Sequence, residues 1–206
     1  VSSASSVRLI DLGARTLTQS LGQGDFGEVR FLSDGRTLIA ANRGDRLLTL
    51  YDVPSRRLIV HLPISVRPDQ LCFNSDGGQL FVTGEGMDAV VVVYPYRTEV
   101  AETVLAGHAP GAMGASKDNL FVASQSGDVS ILDVDTHKVI AVVQVGADPG
   151  FITVTTDDQY ALVLNRMSGD VAVIRVHGKY DRYKSGAFLT LIPVGSRPVS
   201  AAVRAV

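Results

Sequence analysis

The chain has 206 residues, a formal net charge of −2 and a sequence pI near 6.1, a size suited to one large domain or two small ones. So nearly neutral a chain, with no basic stripe, argues against nucleic acid as a partner. Hydrophobic residues make up 46% of it, but there is no Trp and only one cysteine, so an intrachain disulfide is excluded.

The apolar content is mostly Val, Leu, Ile and Ala, which suits pleated, half-buried strands, and the 20 glycines point to many turns. No run approaches the ~20 apolar residues of a membrane span. Cys72 stands in the run Leu71-Cys72-Phe73 and reads as a buried, inert thiol.

In chain order the first elements are two strands, VRLIDL and RTLTQSLG, within residues 7–22. A repeat then sets in. Prolines fall at Pro68, Pro110, Pro149 and Pro198, with separations of 42, 39 and 49. The ends of apolar runs at Asp11, Asp52, Pro95, Asp133 and Arg175 step by 41, 43, 38 and 42. A third column, Asn42, Gly84, Ser124 and Asn165, steps by 42, 40 and 41. Three columns agreeing on one period identify tandem units of about 40 residues.

Each unit reads as four short strands joined by tight turns, with no helix-length stretch of 3.6 periodicity. Turn residues at Ser33-Asp34-Gly35, Ser75-Asp76-Gly77, Lys117-Asp118-Asn119 and Asp157-Asp158 sit between apolar runs. A four-stranded sheet has two faces that one unit cannot cover. Stacking sheet upon sheet buries both, so the expected fold is an all-β propeller of antiparallel blades. The predicted blades run over about 25–66, 67–108, 109–147 and 148–196. A partial blade at 1–22 precedes them, and a final inner strand at 197–206 follows, within a single propeller domain.

The repeats resemble the YVTN family of bacterial β-propellers. The stretches that carry the likeness are Leu120-Phe-Val-Ala-Ser, Val129-Ser-Ile-Leu-Asp, Val145-Gly-Ala-Asp-Pro149, Leu80-Phe-Val-Thr-Gly and Val194-Gly-Ser-Arg-Pro198. The resemblance implies an exported protein, periplasmic or at the cell surface. It also implies seven blades, which makes a fragment of a larger ring the preferred reading over a five-bladed ring with a three-stranded seam. Such a fragment would expose an unpaired blade face, to be covered by a partner at the open blade edge or by missing residues.

Candidate functional residues lie in two sets of loops, those entering each inner strand and those between second and third strands. They are Arg43, Arg67, Glu85, His108, Asp148, Asn165, Arg166 and Arg197. Arg43, Arg67, Arg166 and Arg197 can grip a carboxylate or phosphate bidentately, or else pair with neighbours such as Glu85 or Asp148. His108 is the one histidine of the set, suited to acid–base work near neutral pH.

Other patterns are weaker. Asp133-Val-Asp135-Thr-His137 has a ligand-like spacing but lies in a hairpin where Asp and Thr are ordinary turn formers. Gly22-Gln-Gly-Asp-Phe-Gly27 echoes a dinucleotide fingerprint without the helix that would follow one. The segment 177–186, with two Tyr among basic side chains, lengthens one hairpin and is a place for a partner contact. No cofactor or metal is expected. The leading expectation is a non-catalytic scaffold that binds a protein or small ligand at the channel mouth; the alternative is a lactonase-like hydrolase using the same polar residues.

Overall fold

The computed structural model describes residues 1–176 and 187–204. They form one two-stranded and four four-stranded antiparallel sheets, with a single 3-10 turn at Pro95–Arg97. The two-stranded sheet is β1 (Ser6–Asp11) and β2 (Thr16–Gln23). The first four-stranded sheet is β3 (Phe26–Phe31), β4 (Thr37–Asn42), β5 (Leu47–Asp52) and β6 (Arg57–Pro63). The second is β7 (Arg67–Phe73), β8 (Leu80–Glu85), β9 (Ala89–Tyr94) and β10 (Glu99–Leu105). The third is β11 (Met113–Ala115), β12 (Asn119–Ala123), β13 (Asp128–Asp133) and β14 (Val139–Gln144). The fourth is β15 (Pro149–Val154), β16 (Tyr160–Asn165), β17 (Asp170–Arg175) and β18 (Ala187–Pro193). Strands are sequential neighbours throughout, the meander of a propeller blade.

Local chemistry accounts for the turns. At Ser33-Asp34-Gly35 the Asp34 carboxylate accepts the backbone N–H groups of Arg36 and Thr37, while Gly35 takes φ 63°. Those bonds, Thr37 first, hold the Asp34 carboxyl below its ordinary pKa. In the Asp133–His137 hairpin the Asp133 carboxylate accepts both the N–H and the hydroxyl of Thr136, the turn-forming use of that aspartate.

The chain divides into two compact units. The first comprises Val1–Leu71, Gly77–Met87 and Val91–Glu102; the second comprises Cys72–Asp76, Asp88–Val90 and Thr103–Val206. In the first unit Val7, Phe26, Leu38, Ala40 and Tyr51 form a buried cluster, packed by Leu21, Val29 and Val53. Residues 1–3 fold back along β1, where Ser2 bridges Val7 and Arg8 N–H donates to the carbonyl of Val1.

In the second unit the core runs through the third and fourth sheets: Phe121, Val129, Ile131, Ile152, Val163, Ala172 and Ile174 are among its members. Gly114 is required there, because a Cβ would stand 2.7 Å from the side chain of Ile152. β12 is buried at every position, whereas β17 buries Ala172 and Ile174 and leaves Val171 and Val173 half-buried. The fourth sheet therefore has one covered face and one partly open face. Its outer strand β18 is exposed at every residue, including Phe188 and Ile192.

Two expectations need adjustment. Cys72 is half-buried rather than buried, its thiol directed at the Phe73 carbonyl. Residues 197–204 are paired into none of the sheets, so the predicted final inner strand is not formed among the described residues. The predicted hairpin extension, 177–186, lies outside the described residues. Among those described, no helix is long and apolar enough to cross a membrane.

Candidate functional site

In an antiparallel sheet the residue entering the first strand and the residue leaving the second lie at one end. The register puts Phe26 opposite Asn42 and Pro149 opposite Asn165. The chain closes this last rung with a backbone bond: Arg43 N–H to the Asp25 carbonyl, Arg166 N–H to the Asp148 carbonyl, and Gln125 N–H to the His108 carbonyl. At this end, two charged side chains pair in three of the four-stranded sheets.

In the first sheet the pair is Asp25–Arg43, at 3.5 Å. In the second it is Arg67–Glu85, at 2.9 Å, with the charges exchanged. In the fourth it is Asp148–Arg166, at 3.0 Å and again acid first. In the third sheet the same backbone bond joins Gln125 to His108, so the corresponding pair is His108 and Gln125, with no carboxylate. A constant frame thus holds a different chemistry in successive sheets.

The exchange of charges in the second sheet has a consequence within the first unit. Arg67 faces Asp25 as well as Glu85, at 2.7 Å, and Arg43 pairs with Asp69 as well as Asp25. The result is an alternating chain, Asp69–Arg43–Asp25–Arg67–Glu85, with three carboxylates and two guanidiniums. Glu85 and then Asp25 raise the Arg67 pKa above its ordinary value. The chain ends on Glu85, whose side chain is 78% exposed. Arg43 and Arg67 are therefore already held by carboxylates, and an anionic ligand would have to displace them.

The second unit holds the other candidates. His108 Nδ1 stands 3.3 Å from Asp88 Oδ2, and Asp88 Oδ1 accepts the Ala109 N–H at 2.8 Å. The Ala109 bond first, and His108 second, hold the Asp88 carboxyl below its ordinary pKa. Asn165 is fully buried and donates from Nδ2 to Asp170 Oδ1 at 2.7 Å. Arg197 is exposed, has φ 53° and forms no ion pair among the described residues. Ala109 and Asp148 share that left-handed conformation directly before a proline. No group of three or more His, Cys, Asp or Glu side chains suited to a metal occurs among the described residues.

Sequence reasoning offered Glu85 and Asp148 as partners for the four arginines without matching them, whereas the structure pairs Arg67 with Glu85 and Arg166 with Asp148. It missed Asp25, Asp69 and Asp88 as partners. Asp88 had a signal: Asp45, Asp88, Asp128 and Asp170 form a further column, with separations of 43, 40 and 42. Three of these are tied by a residue of the column Asn42, Gly84, Ser124 and Asn165, namely Asn42 to Asp45, Ser124 to Asp128 and Asn165 to Asp170. The fourth such residue is Gly84, which has no side chain to offer, and Asp88 turns instead to Ala109 and His108.

Comparison with known proteins supports the fold. The chain is 25% identical over 174 residues to a seven-bladed beta-propeller protein of Mycobacterium tuberculosis, covering 80% of this chain and 42% of that protein. A solved structure of a functionally unknown protein from Desulfotomaculum acetoxidans matches with a TM-score of 0.82 at 11% identity, over 95% of this chain and 65% of the other. The periplasmic gluconolactonase of Pseudomonas aeruginosa matches with a TM-score of 0.71 at 17% identity, over 93% and 64%. The chain thus spans under half the length of the curated relative and under two thirds of these structures. No family model matches it. The fold is that of a β-propeller.

Proposed function

We propose that this chain is a non-catalytic binding propeller that engages a protein or small ligand through the sheet ends carrying the paired side chains. The observation that carries this reading is the repeated slot. Its two positions lie 18 residues apart in the first, second and fourth sheets, and its content runs acid–base, base–acid, imidazole–amide, acid–base. A fixed frame with variable side chains is the arrangement on which recognition sites are built. Arg43, Arg67, Glu85, Asp148, Arg166 and Arg197 are the contact residues of this proposal, with His108 a further candidate in the second unit and Asn165 supporting the fourth-sheet turn.

The test is a thermal-shift screen of organic acids, amines and polyols against the wild-type chain and the variants R67E and R166E. A ligand that raises the wild-type Tm should lose that effect in one of these variants. Hits that survive both reversals would reject the slots as the contact surface.

A second reading, a lactonase-like hydrolase, is favoured by the Asp88–His108 pair, in which the carboxylate orients Nδ1 and leaves Nε2 to face a substrate. The likeness to a protein titled as a periplasmic gluconolactonase supports the same reading. Lactone hydrolysis by the wild-type chain, lost in H108A at unchanged Tm, would establish it over the binding reading. That neighbour, with the resemblance to YVTN repeats, also supports a periplasmic or cell-surface location. The partly open face of the fourth sheet supports a covering partner.

A further inference from the structure

The third strand of each sheet has two faces, and the columns of the repeat show what each face meets. Two and four residues before the column Asp52, Pro95, Asp133 and Arg175 stand Leu50 and Leu48, Val93 and Val91, Ile131 and Val129, and Val173 and Val171. The first six are at most 3% exposed, whereas Val171 and Val173 are half-buried. One residue before the same column, now including Asp11 of β1, stand Ile10, Tyr51, Tyr94, Leu132 and Ile174. Tyr51, Leu132 and Ile174 are at most 5% exposed, and Ile10 is 49% exposed.

The third and fourth sheets show how such faces fit together. Val129, Ile131 and Val143 of the third share one buried cluster with Ala172 and Ile174 of the fourth. On the fourth sheet the face equivalent to Val129 and Ile131 is the partly open one. The register sets Leu162 opposite Val173 and Ile192 opposite Val171, so these four side chains share it. Ile192 is 48% exposed where its counterpart Val143, opposite Val129, is 7% exposed. In the two-stranded sheet the face equivalent to Ile174 carries Ile10 and, opposite it, Leu17, both exposed. Arg8 lies on that face too, with its Nε–H turned to Ser6 Oγ at 3.0 Å. The other face of this sheet is already used, since Val7 belongs to the buried cluster with Phe26 and Tyr51.

The two exposed faces are thus the separated halves of a contact that the chain makes elsewhere. We propose that a second copy of this chain joins them, with Ile10 and Leu17 of one copy seated on Val171, Val173 and Ile192 of the other. Complementarity fixes the occupant. Leu162, Val171, Val173, Thr190 and Ile192 carry no charge, so a charged surface would be desolvated there without a partner, and this chain exposes an apolar face at the matching repeat position. Because the two faces differ, the contact is head-to-tail and each copy offers one of each. A two-stranded face is smaller than a standard interface, so the association is weak and concentration-dependent. The proposal rests on the covering partner of the functional reading and not on the slots, whose test reads ligand-induced shifts in Tm rather than mass.

Analytical ultracentrifugation of the wild-type chain, Ile10→Asp, Ile192→Asp and an equimolar mixture of the two variants tests it, from about 10 μM to about 1 mM, the range of weak contacts. The wild-type mass should rise above 21.9 kDa with concentration, and each variant alone should stay at that mass. The mixture should recover association but stop at the dimer, because one variant keeps the fourth-sheet face and the other keeps the β1–β2 face. A wild type that stays monomeric throughout overturns the proposal, as does either variant assembling like the wild type. A mixture that stays monomeric while the wild type associates also overturns it, since that result means like faces pair. Both sites are half exposed, so the variants should melt with the wild type; if either melts lower, Ile10→Ser and Ile192→Ser replace them with the same expected outcomes.

Discussion

A side chain on residue 84 would overlap the carbonyl oxygen of Arg67 and bring its Cβ to 2.9 Å from Cα of Pro68. Gly84 is thus what lets β8 approach the start of β7, and the same missing side chain leaves Asp88 without the tie that its three counterparts have. One steric requirement shapes both the Arg67–Glu85 slot and the Asp88–His108 pair.

Gly84→Ala should therefore destabilise the chain by about 1–3 kcal/mol through overpacking against backbone. The φ of Gly84 is not in the left-handed region, so the cost is steric alone. Urea denaturation measures it. A loss under ~0.5 kcal/mol would mean that β7 gives way.

The two faces of β17 should respond differently to truncation. Ile174 is fully buried in the core of the second unit, and Val173 lies on the partly open face. Ile174→Ala should cost about 2–4 kcal/mol and Val173→Ala under ~1 kcal/mol. Equal losses from the two would contradict the one-sided burial of this sheet.

Arg67→Glu would leave four carboxylates around the single guanidinium of Arg43. Its Tm should fall further at low salt than in 1 M salt, because repulsion among part-exposed charges is screened. Arg166→Glu disturbs one carboxylate and should fall less. A Tm change in Arg67→Glu that ignores ionic strength would argue that the alternating chain is not electrostatically coupled.

Acid should loosen the Ala109 loop. The Asp88 carboxyl has a folded pKa below its ordinary value, so its contribution is complete above the unfolded pKa of about 3.9 and is lost as pH falls through the lower folded value. Asp88→Ala should be less stable than wild type at pH 6, and the two should converge as the pH approaches 2. A gap that persists at low pH would assign the effect to packing.

The period, the strands and the turn residues were legible because each depends on residues close in the chain. Ser33-Asp34-Gly35 reads as a turn from its own three side chains. The slot pairs were partly legible, since Arg67 and Glu85 recur in step with Asp148 and Arg166. The bond from Arg43 to Asp69 was not. It joins two sheets of the first unit, and no periodic column announces it, because Asp69 has Val199 as its counterpart after Pro198. Cys72 was placed too deep because its apolar neighbours suggested more cover than the sheet provides.

The exposure of β18 sets the direction in which this array comes apart. Strands such as β12 are locked by side chains on both faces, whereas β18 is held mainly through its ladder with β17. Under mechanical load, or in native-state hydrogen exchange, the outer strand of the fourth sheet should peel away first, and the sheets of the second unit should yield in sequence behind it. Protection in the second unit should therefore be graded, lowest in β18 and rising toward the strands buried on both faces.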